Sequence, residues 1–371
     1  MNNIERLNTI KNTYSNIPES IANKLDRNLH NQKNHPIEII KNKIYKHLKG
    51  LTKYNFQFFD NISPIVSVSD NFDKLLIPKE HPARSKSDTY YINETTVLRT
   101  HTSAHQNELL NNGITSFVVT GDVYRKDEIN ATHYPVFHQM ELLSVLDETD
   151  NAETELKELL SGLVQHLFPG CNYRFNDDYF PFTHPSYEIE VEYRGKWLEI
   201  LGCGICQPAI LEANGIIGKK AIACGFGLER LAMIFANIPD IRYLWSTSER
   251  FLNQFADGEL HTFILYSDLP SLTKDISFYV PENRLKEYVW LDENDFFEII
   301  RDCIGTTMEE VKLECTFFNA KRNKYSRTYR MVHSPNDDGM KNPSEFTSFV
   351  NSQQEELQKR LKESTLKIEL R

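Results

Sequence analysis

Residues 120–142 (TGDVYRKDEINATHYPVFHQMEL) concentrate groups able to bind a charged ligand: Arg125, Lys126, His133, Phe137, His138, Gln139 and Glu141. A strand–loop–strand hairpin here presents a guanidinium fork to a phosphate. Its return strand turns an amide and a carboxylate toward the same ligand. The planar fork of arginine matches phosphate oxygens, and each charge-assisted bond contributes ~1.5–3 kcal/mol. The plain alternative is a solvated charged hairpin, because density is not geometry.

Other stretches carry weaker signals. Residues 224–231 (CGFGLERL) set a Gly-x-Gly turn before Glu229 and Arg230 at a helix start. The third glycine of a dinucleotide fingerprint is missing, so a Rossmann reading is poor. Gly225 lets a backbone approach a ligand closely, and Arg230 could reach a phosphate or lie over an adenine. Residues 179–186 (YFPFTHPS) bring Phe180 and Phe182 together, either as two core aromatics or as the walls of an aromatic side-chain pocket. Residues 321–330 (KRNKYSRTYR) hold Lys321, Arg322, Lys324, Arg327 and Arg330, no acid, and Tyr325 and Tyr329. That pattern suits either a phosphate-and-base surface or a soluble edge strand. His101 and His105 are four apart, and Cys203 and Cys206 form a lone C-x-x-C. Neither makes a zinc site, since no Glu follows the first His and no second C-x-x-C exists. A redox C-x-x-C lacks its thioredoxin-like βαβ surroundings.

The elements that must position these residues are legible in outline. A helix opens at Pro36, with Ile37, Ile40, Ile44, Tyr45 and Leu48 at three- to four-residue spacing. Strands are expected at 116–120, 187–193, 196–201 and 221–224, and helices at 103–111, 151–167 and 227–236. Strands and helices do not alternate strictly, which favours an antiparallel α+β layer over a parallel doubly wound sheet. After a linker, 256–273, the order becomes strand 274–280, helix 291–304, strand 307–318, strand 326–333, helix 343–364 and strand 365–370. That is the βαββαβ, ferredoxin-like order. The chain thus divides into a polar, frayed arm (1–34), a larger domain (35–255), the linker, and a second domain (274–371).

Composition agrees. With 371 residues, 40% apolar and 11% aromatic, the chain has material for two domains with real cores and is not a disordered or fibrous chain. No apolar run approaches the ~18 residues of a membrane span. A net charge of −10 disfavours a bulk polyanion binder but not a local basic groove. Six sparse Cys read as reduced thiols, and acids among the first thirty residues argue against a transit peptide.

Taken in order, residues 98–106 (LRTHTSAHQ), 121–141, 179–186, 197–204 (WLEILGCG), 224–233 (CGFGLERLAM) and 238–245 (IPDIRYLW) resemble the single-chain, organellar-type phenylalanyl-tRNA synthetases of class II. The tail, led by KDISFYVP at 274–281, resembles that family's anticodon-binding domain. The resemblance implies an α+β fold, a class II antiparallel sheet with flanking helices plus the C-terminal ferredoxin-like module. It implies that L-phenylalanine and ATP give phenylalanyl-adenylate and pyrophosphate, and that the acyl group moves to the terminal adenosine of phenylalanine tRNA, at its 2′-hydroxyl. Carried over by motif, Arg125 and Arg230 would be catalytic and hold ATP phosphates. Phe137 would stack on adenine, with Glu199 and Gly225 beside it. His101, Ser103, Gln106, His133, Gln139 and Glu141 would surround the amino acid's polar end. Phe180 and Phe182 would line its ring, with Cys224 near them where the family usually has Phe. Lys321, Arg322, Lys324, Arg327 and Arg330 would meet tRNA. Mg²⁺ would arrive with ATP, with no protein-held metal centre. A monomer, a mitochondrial compartment with plastid and cytosol open, and the absence of an editing domain from the chain complete the expectation. Two rivals remain at this stage. One is an adenylate-forming enzyme that no longer charges tRNA; the other is a non-catalytic RNA-binding protein on the same scaffold.

Overall fold

The helix opening at Pro36 runs over Pro36–Gly50 (α2), after a first helix at Asn3–Ile10 (α1). His35 caps α2 by accepting the Ile37 N–H at 3.2 Å. Ile37, Ile40, Ile44 and Leu48 are buried on one face of it, as their spacing requires. Each fully buried side chain of this kind contributes roughly 1.5–3 kcal/mol. Tyr45 adds a polar anchor, donating from its hydroxyl to Thr120 Oγ1 at 2.8 Å. In this computed structural model, residues 2–147, 151–265, 269–335 and 342–371 are described.

α2 covers a seven-stranded sheet made of Gln57–Phe59 (β1), Ser116–Tyr124 (β2), Val136–Val145 (β3), Tyr173–Asp178 (β4), Thr183–Tyr193 (β5), Lys196–Cys206 (β6) and Ala221–Gly227 (β7). The spatial order is β1-β2-β3-β7-β6-β5-β4. β1 pairs parallel with β2, and every other neighbour is antiparallel. Ala152–Leu167 (α3) and Leu228–Ala236 (α4) share the α2 side of the sheet, closing one large apolar cluster. On the opposite face a smaller apolar cluster, with Phe72, Leu110, Ile210 and Leu211, covers Phe117, Val119, Leu143 and Ala221, and the site occupies the rest of that face.

The C-terminal unit has Leu272–Val280 (β8), Glu293–Ile304 (α5), Met308–Asn319 (β9), Lys324–His333 (β10), Pro343–Glu363 (α6) and Glu369–Leu370 (β11). Its sheet order, β9-β10-β8-β11, is antiparallel throughout. The last strand is two residues long, not the six expected. The unit packs directly on the loop after Arg125. Lys126 Nζ meets Asp295 at 2.8 Å, Arg301 donates to the Glu128 carbonyl at 2.9 Å, and Val311 N–H donates to the Ile129 carbonyl at 2.9 Å. The Ile129 side chain is buried within the C-terminal core cluster.

The arm is not frayed. Leu7, Ile17, Ile21, Leu25 and Leu29 are buried in the main core. Asp26 ties α1 down by accepting from the Asn3 side chain at 2.6 Å and the Ile4 N–H at 3.2 Å. Ile17, Ile21, Leu25 and Leu29 recur every four residues, a helix-like spacing within an Asn- and Lys-rich stretch, although only Glu19–Ala22 and Leu29–Asn31 form helical turns there. The first part of the linker is also packed. Phe263 is buried, its N–H donating to the Ala236 carbonyl at 2.6 Å.

A buried pillar supports the site. Arg99 donates to the Asp122 carbonyl at 2.7 Å, to Asp122 Oδ1 at 3.1 Å and to His105 Nε2 at 2.8 Å. Tyr124 donates to the other Asp122 oxygen. This requires glycine at 121, where a Cβ would collide with the Arg99 guanidinium. Gly121→Ala is expected to lose about 3–5 kcal/mol, the cost of breaking a buried ion pair. Urea denaturation checks it, and a loss below about 1 kcal/mol would mean that Arg99 has another place to go.

Candidate active site

β3 alternates, so Phe137, Gln139 and Glu141 face the open side of the sheet while Met140 and Leu142 face the helices. Glu141 is buried. It accepts from Gln106 Nε2 at 2.7 Å and from the Ser103 hydroxyl, both on the turn that begins at His101. Burial pushes its carboxyl up to about 7 even though both hydrogen bonds pull it down. Gly225 of β7 is opposite Glu141 in register, and a Cβ there would come within 2.8 Å of Gln139 Nε2. The Gly-x-Gly expected as a turn is the end of strand β7, and Gly225 within it makes room for the Gln139 and Glu141 side chains.

Several buried polar atoms around this point have no protein partner: both ring nitrogens of His101, Gln106 Oε1 and Gln139 Oε1. Burial, then Arg125, push His101 down to about 3, so its ring is neutral. The Asn71 carbonyl pulls the other way without closing a hydrogen bond of ordinary geometry. Orphaned buried acceptors beside a carboxylate call for a ligand with several N–H donors. Next to them, Phe180 and Phe182 stack with ring centroids 5.9 Å apart and planes at 14°, and the His101 ring is 6.4 Å from Phe182. All border a cavity of about 1300 Å³.

Arg125 occupies the same cavity. Its Nε donates to the Thr100 carbonyl at 2.7 Å, and its guanidinium lies 5.2 Å from the Phe137 ring centroid. Arg230, in the first turn of α4, donates to the Glu199 carbonyl at 2.8 Å and lies 3.6 Å from the Glu199 carboxylate, both side chains half-exposed. His133 is on the exposed loop, its Nδ1 2.8 Å from Asn130 Oδ1. The structure therefore brings His101, Ser103, Gln106, Arg125, Phe137, Gln139, Glu141, Phe180, Phe182, Glu199, Gly225 and Arg230 to one cleft, with His133 at its rim.

Two expected residues are misplaced by one strand step. Cys224 belongs to the wall strand and borders the cavity, but its side chain joins Leu142 and Cys203 in the helix-side cluster, so it meets the cavity through its strand rather than its thiol. Ala223 and Gly225 hold the cleft face. Cys224→Phe is therefore expected to overpack the core by ~1–3 kcal/mol and leave unchanged the ratio of the cleft's affinities for a phenyl and a phenol side chain. A changed ratio with unchanged melting would put residue 224 back in the pocket. Arg327 is 3% exposed and bonds to Glu293, Tyr329 and the Tyr288 carbonyl, so it is a core residue and not an RNA contact. Of the other four expected tRNA contacts, all exposed, Arg322 and Lys324 pair with Glu369 and Arg330 with Asp275, while Lys321 makes no ion pair among the described residues. Cys203 and Cys206 lie in core clusters on opposite sheet faces, with thiols pushed up to about 12 by burial, as fits neither zinc nor redox use.

The sequence did not single out the 77–89 loop, whose Ile77, His81, Ala83 and Asp88 border the cleft. Nor did it assign a role to the contact between His138 and Glu229. No local pattern flags the loop, and the contact spans 91 residues.

Residues 20–255 match the family described as tRNA synthetases class II core domain (F). The chain is 44% identical, over 94% of its length and 82% of the relative's, to the chloroplastic/mitochondrial phenylalanine–tRNA ligase of Arabidopsis thaliana. The chain belongs to the phenylalanine–tRNA ligase family. The mitochondrial phenylalanine–tRNA ligase of Mus musculus is 39% identical over 86% of this chain and 79% of its own length. That of Saccharomyces cerevisiae is 35% identical over 88% and 87%. In this family's class II core, an arginine, a carboxylate and an aromatic slot stand within one cleft here because β2, which ends before Arg125, β3, which carries Glu141, and β6 and β5, which hold the Phe180–Phe182 slot, flank β7 in one sheet.

Proposed function

We infer that the protein activates L-phenylalanine with ATP and charges phenylalanine tRNA, in the mitochondrion like its relatives. The observation that carries this is the Glu141 carboxylate, ringed by orphaned acceptors, at the mouth of the Phe180–Phe182 slot and in the cleft of Arg125. An α-ammonium fits the carboxylate and the acceptors; an uncharged aromatic ring fits the slot.

The amino acid's carboxylate oxygen attacks the α-phosphorus in line, the P–O bond to pyrophosphate breaks, and phenylalanyl-adenylate forms. Arg125 holds the α-phosphate and Arg230 the distal phosphates or the base, while Phe137 offers its face to adenine. Positioning and fixed positive charge suffice for such a substitution, and no protein nucleophile takes part. The tRNA 2′-hydroxyl then attacks the acyl carbon, and AMP leaves. Mg²⁺ supplies charge neutralisation on the phosphate oxygens. The side chains present fit an ion carried by the nucleotide. Among the described residues no cluster of three or more His, Cys, Asp or Glu could cage it, and Glu199 is a single half-exposed carboxylate at the phosphate end. The protein acts as a monomer, with both units on one chain.

For tRNA, the C-terminal sheet offers paired surface cations whose ion pairs are individually weak enough to exchange for phosphates. Phe317, 54% exposed on the edge strand β9, offers a stacking face.

The test is phenylalanine binding against pH. Only ionised Glu141 pairs with the ammonium, and its carboxyl in the empty site is near 7. Below pH 7 affinity is expected to weaken by up to about tenfold per pH unit, with proton release on binding. Glu141→Gln should bind weakly and lose the pH dependence. Calorimetry at pH 6, 7 and 8 decides. Flat affinity in the unaltered protein would remove Glu141 from the ammonium site.

A further inference from the structure

We propose that Glu229 and His138 form a positioning clasp that fixes the two walls of the nucleotide site relative to each other, a role that rests on the ligase reading above. β7 leaves the sheet at Gly227, opposite Gln139, and residue 228 already begins α4. The next rung of the ladder, at His138, is vacated, and its backbone N–H needs another acceptor. Glu229 reaches back and supplies it, its Oε2 accepting that N–H at 2.8 Å. The other oxygen of the same carboxylate accepts from His138 Nδ1 at 2.7 Å. Both oxygens of one carboxylate therefore grip one residue, with Glu229 3% exposed and His138 fully buried.

The clasp is braced from behind. The His138 ring stacks on Trp245, centroids 5.6 Å apart at 23°, and His30 lies 5.1 Å away. His30 is itself held by Nε2–H donating to the Asp60 carbonyl at 2.9 Å. Neither Glu229 nor His138 is needed for the chemistry proposed above. Their sequence neighbours are. Glu229 precedes Arg230, and His138 stands between Phe137 and Gln139. Fastening residue 229 to residue 138 sets the separation of Arg230 from Phe137, the two groups that must hold one nucleotide between them. The phenylalanine end is anchored separately, by Ser103 and Gln106 on Glu141.

The experiment is ATP binding by calorimetry, with ATP and phenylalanine KM values from pyrophosphate exchange, on Glu229→Gln, His138→Phe and the double variant. Gln keeps the size but offers only one acceptor oxygen. Phe keeps the stack on Trp245 and removes Nδ1. The expected result is ATP affinity about tenfold weaker for Glu229→Gln, the loss of one bond to a charged group. The ATP KM should rise in parallel, with the phenylalanine KM within twofold. The double variant should be no worse than the weaker-binding single one, because the pair acts as a unit. Unchanged ATP affinity in Glu229→Gln, or equal rises in both KM values, would overturn the clasp. ATP binding needs no phenylalanine, so the clasp is decided even if the unaltered protein fails to exchange, an outcome that would instead overturn the ligase reading.

Discussion

Arg125→Ala is expected to reduce phenylalanine-dependent ATP–pyrophosphate exchange ~10²–10³-fold, the ~2–4 kcal/mol typical of removing one fixed donor from a developing charge. Its Nε is already engaged by the Thr100 carbonyl, which aims the fork; its two η nitrogens carry no protein hydrogen bond and open onto the cleft. Arg125→Lys should recover little, because an ammonium cannot bind two phosphate oxygens in a fork. The fold should survive, since the side chain belongs to no core cluster and pairs with no buried acid. Exchange rates together with a thermal melt check this. Near-normal exchange in a folded Arg125→Ala protein would remove Arg125 from the site.

Deleting residues 269–371 should leave exchange measurable and reduce tRNA charging ~10²–10⁴-fold, the avidity lost when one of two linked contacts disappears. The reasoning is spatial. The ATP and amino-acid groups all come from the first unit, from its seven-stranded sheet and the turns of that sheet, the 101–106 turn and the start of α4, while the exposed cations at 321, 322, 324 and 330 and Phe317 belong to the second sheet and its β9–β10 turn. The deletion is not without consequence for the first unit. It strips the partners of Lys126, Glu128 and Ile129 from the loop that follows Arg125. Exchange is therefore expected to fall severalfold through a higher ATP KM. Loss of exchange in a truncated protein that still melts cooperatively would show that the second unit shapes the nucleotide site. Charging that persists would show that tRNA is held by the class II core alone.

The residues that meet ligand were legible because they are clustered. The 98–106 turn, the 121–141 hairpin and the 224–233 strand-to-helix passage each supply neighbours in sequence that are neighbours in space. What failed to read was parity. The run Ala221-Ile222-Ala223-Cys224 is apolar on both faces, as a central strand covered on both sides must be, so nothing in it says which residues face the ligand. Cys224 was assigned to the pocket that Ala223 borders. The same holds for 321–330, where cations occur on both faces and only the Glu293 acceptor reveals that Arg327 points inward. Long-range polar contacts were invisible too. Glu229 with His138, and Arg99 with Asp122, join segments whose adjacency exists only after the strands pair. The arm at 2–34 shows a third kind of failure, in which single apolar residues fill gaps in a core built by other elements.

The most direct test of the central claim is phenylalanine-dependent ATP–pyrophosphate exchange without tRNA, followed by charging of phenylalanine tRNA with the same preparation. The account predicts exchange with phenylalanine, little with aliphatic or charged amino acids, and charging of the tRNA. Exchange without charging would make the protein an adenylating enzyme for the free amino acid. TRNA binding with no exchange would make it a non-catalytic RNA-binding protein, and either result would contradict the account.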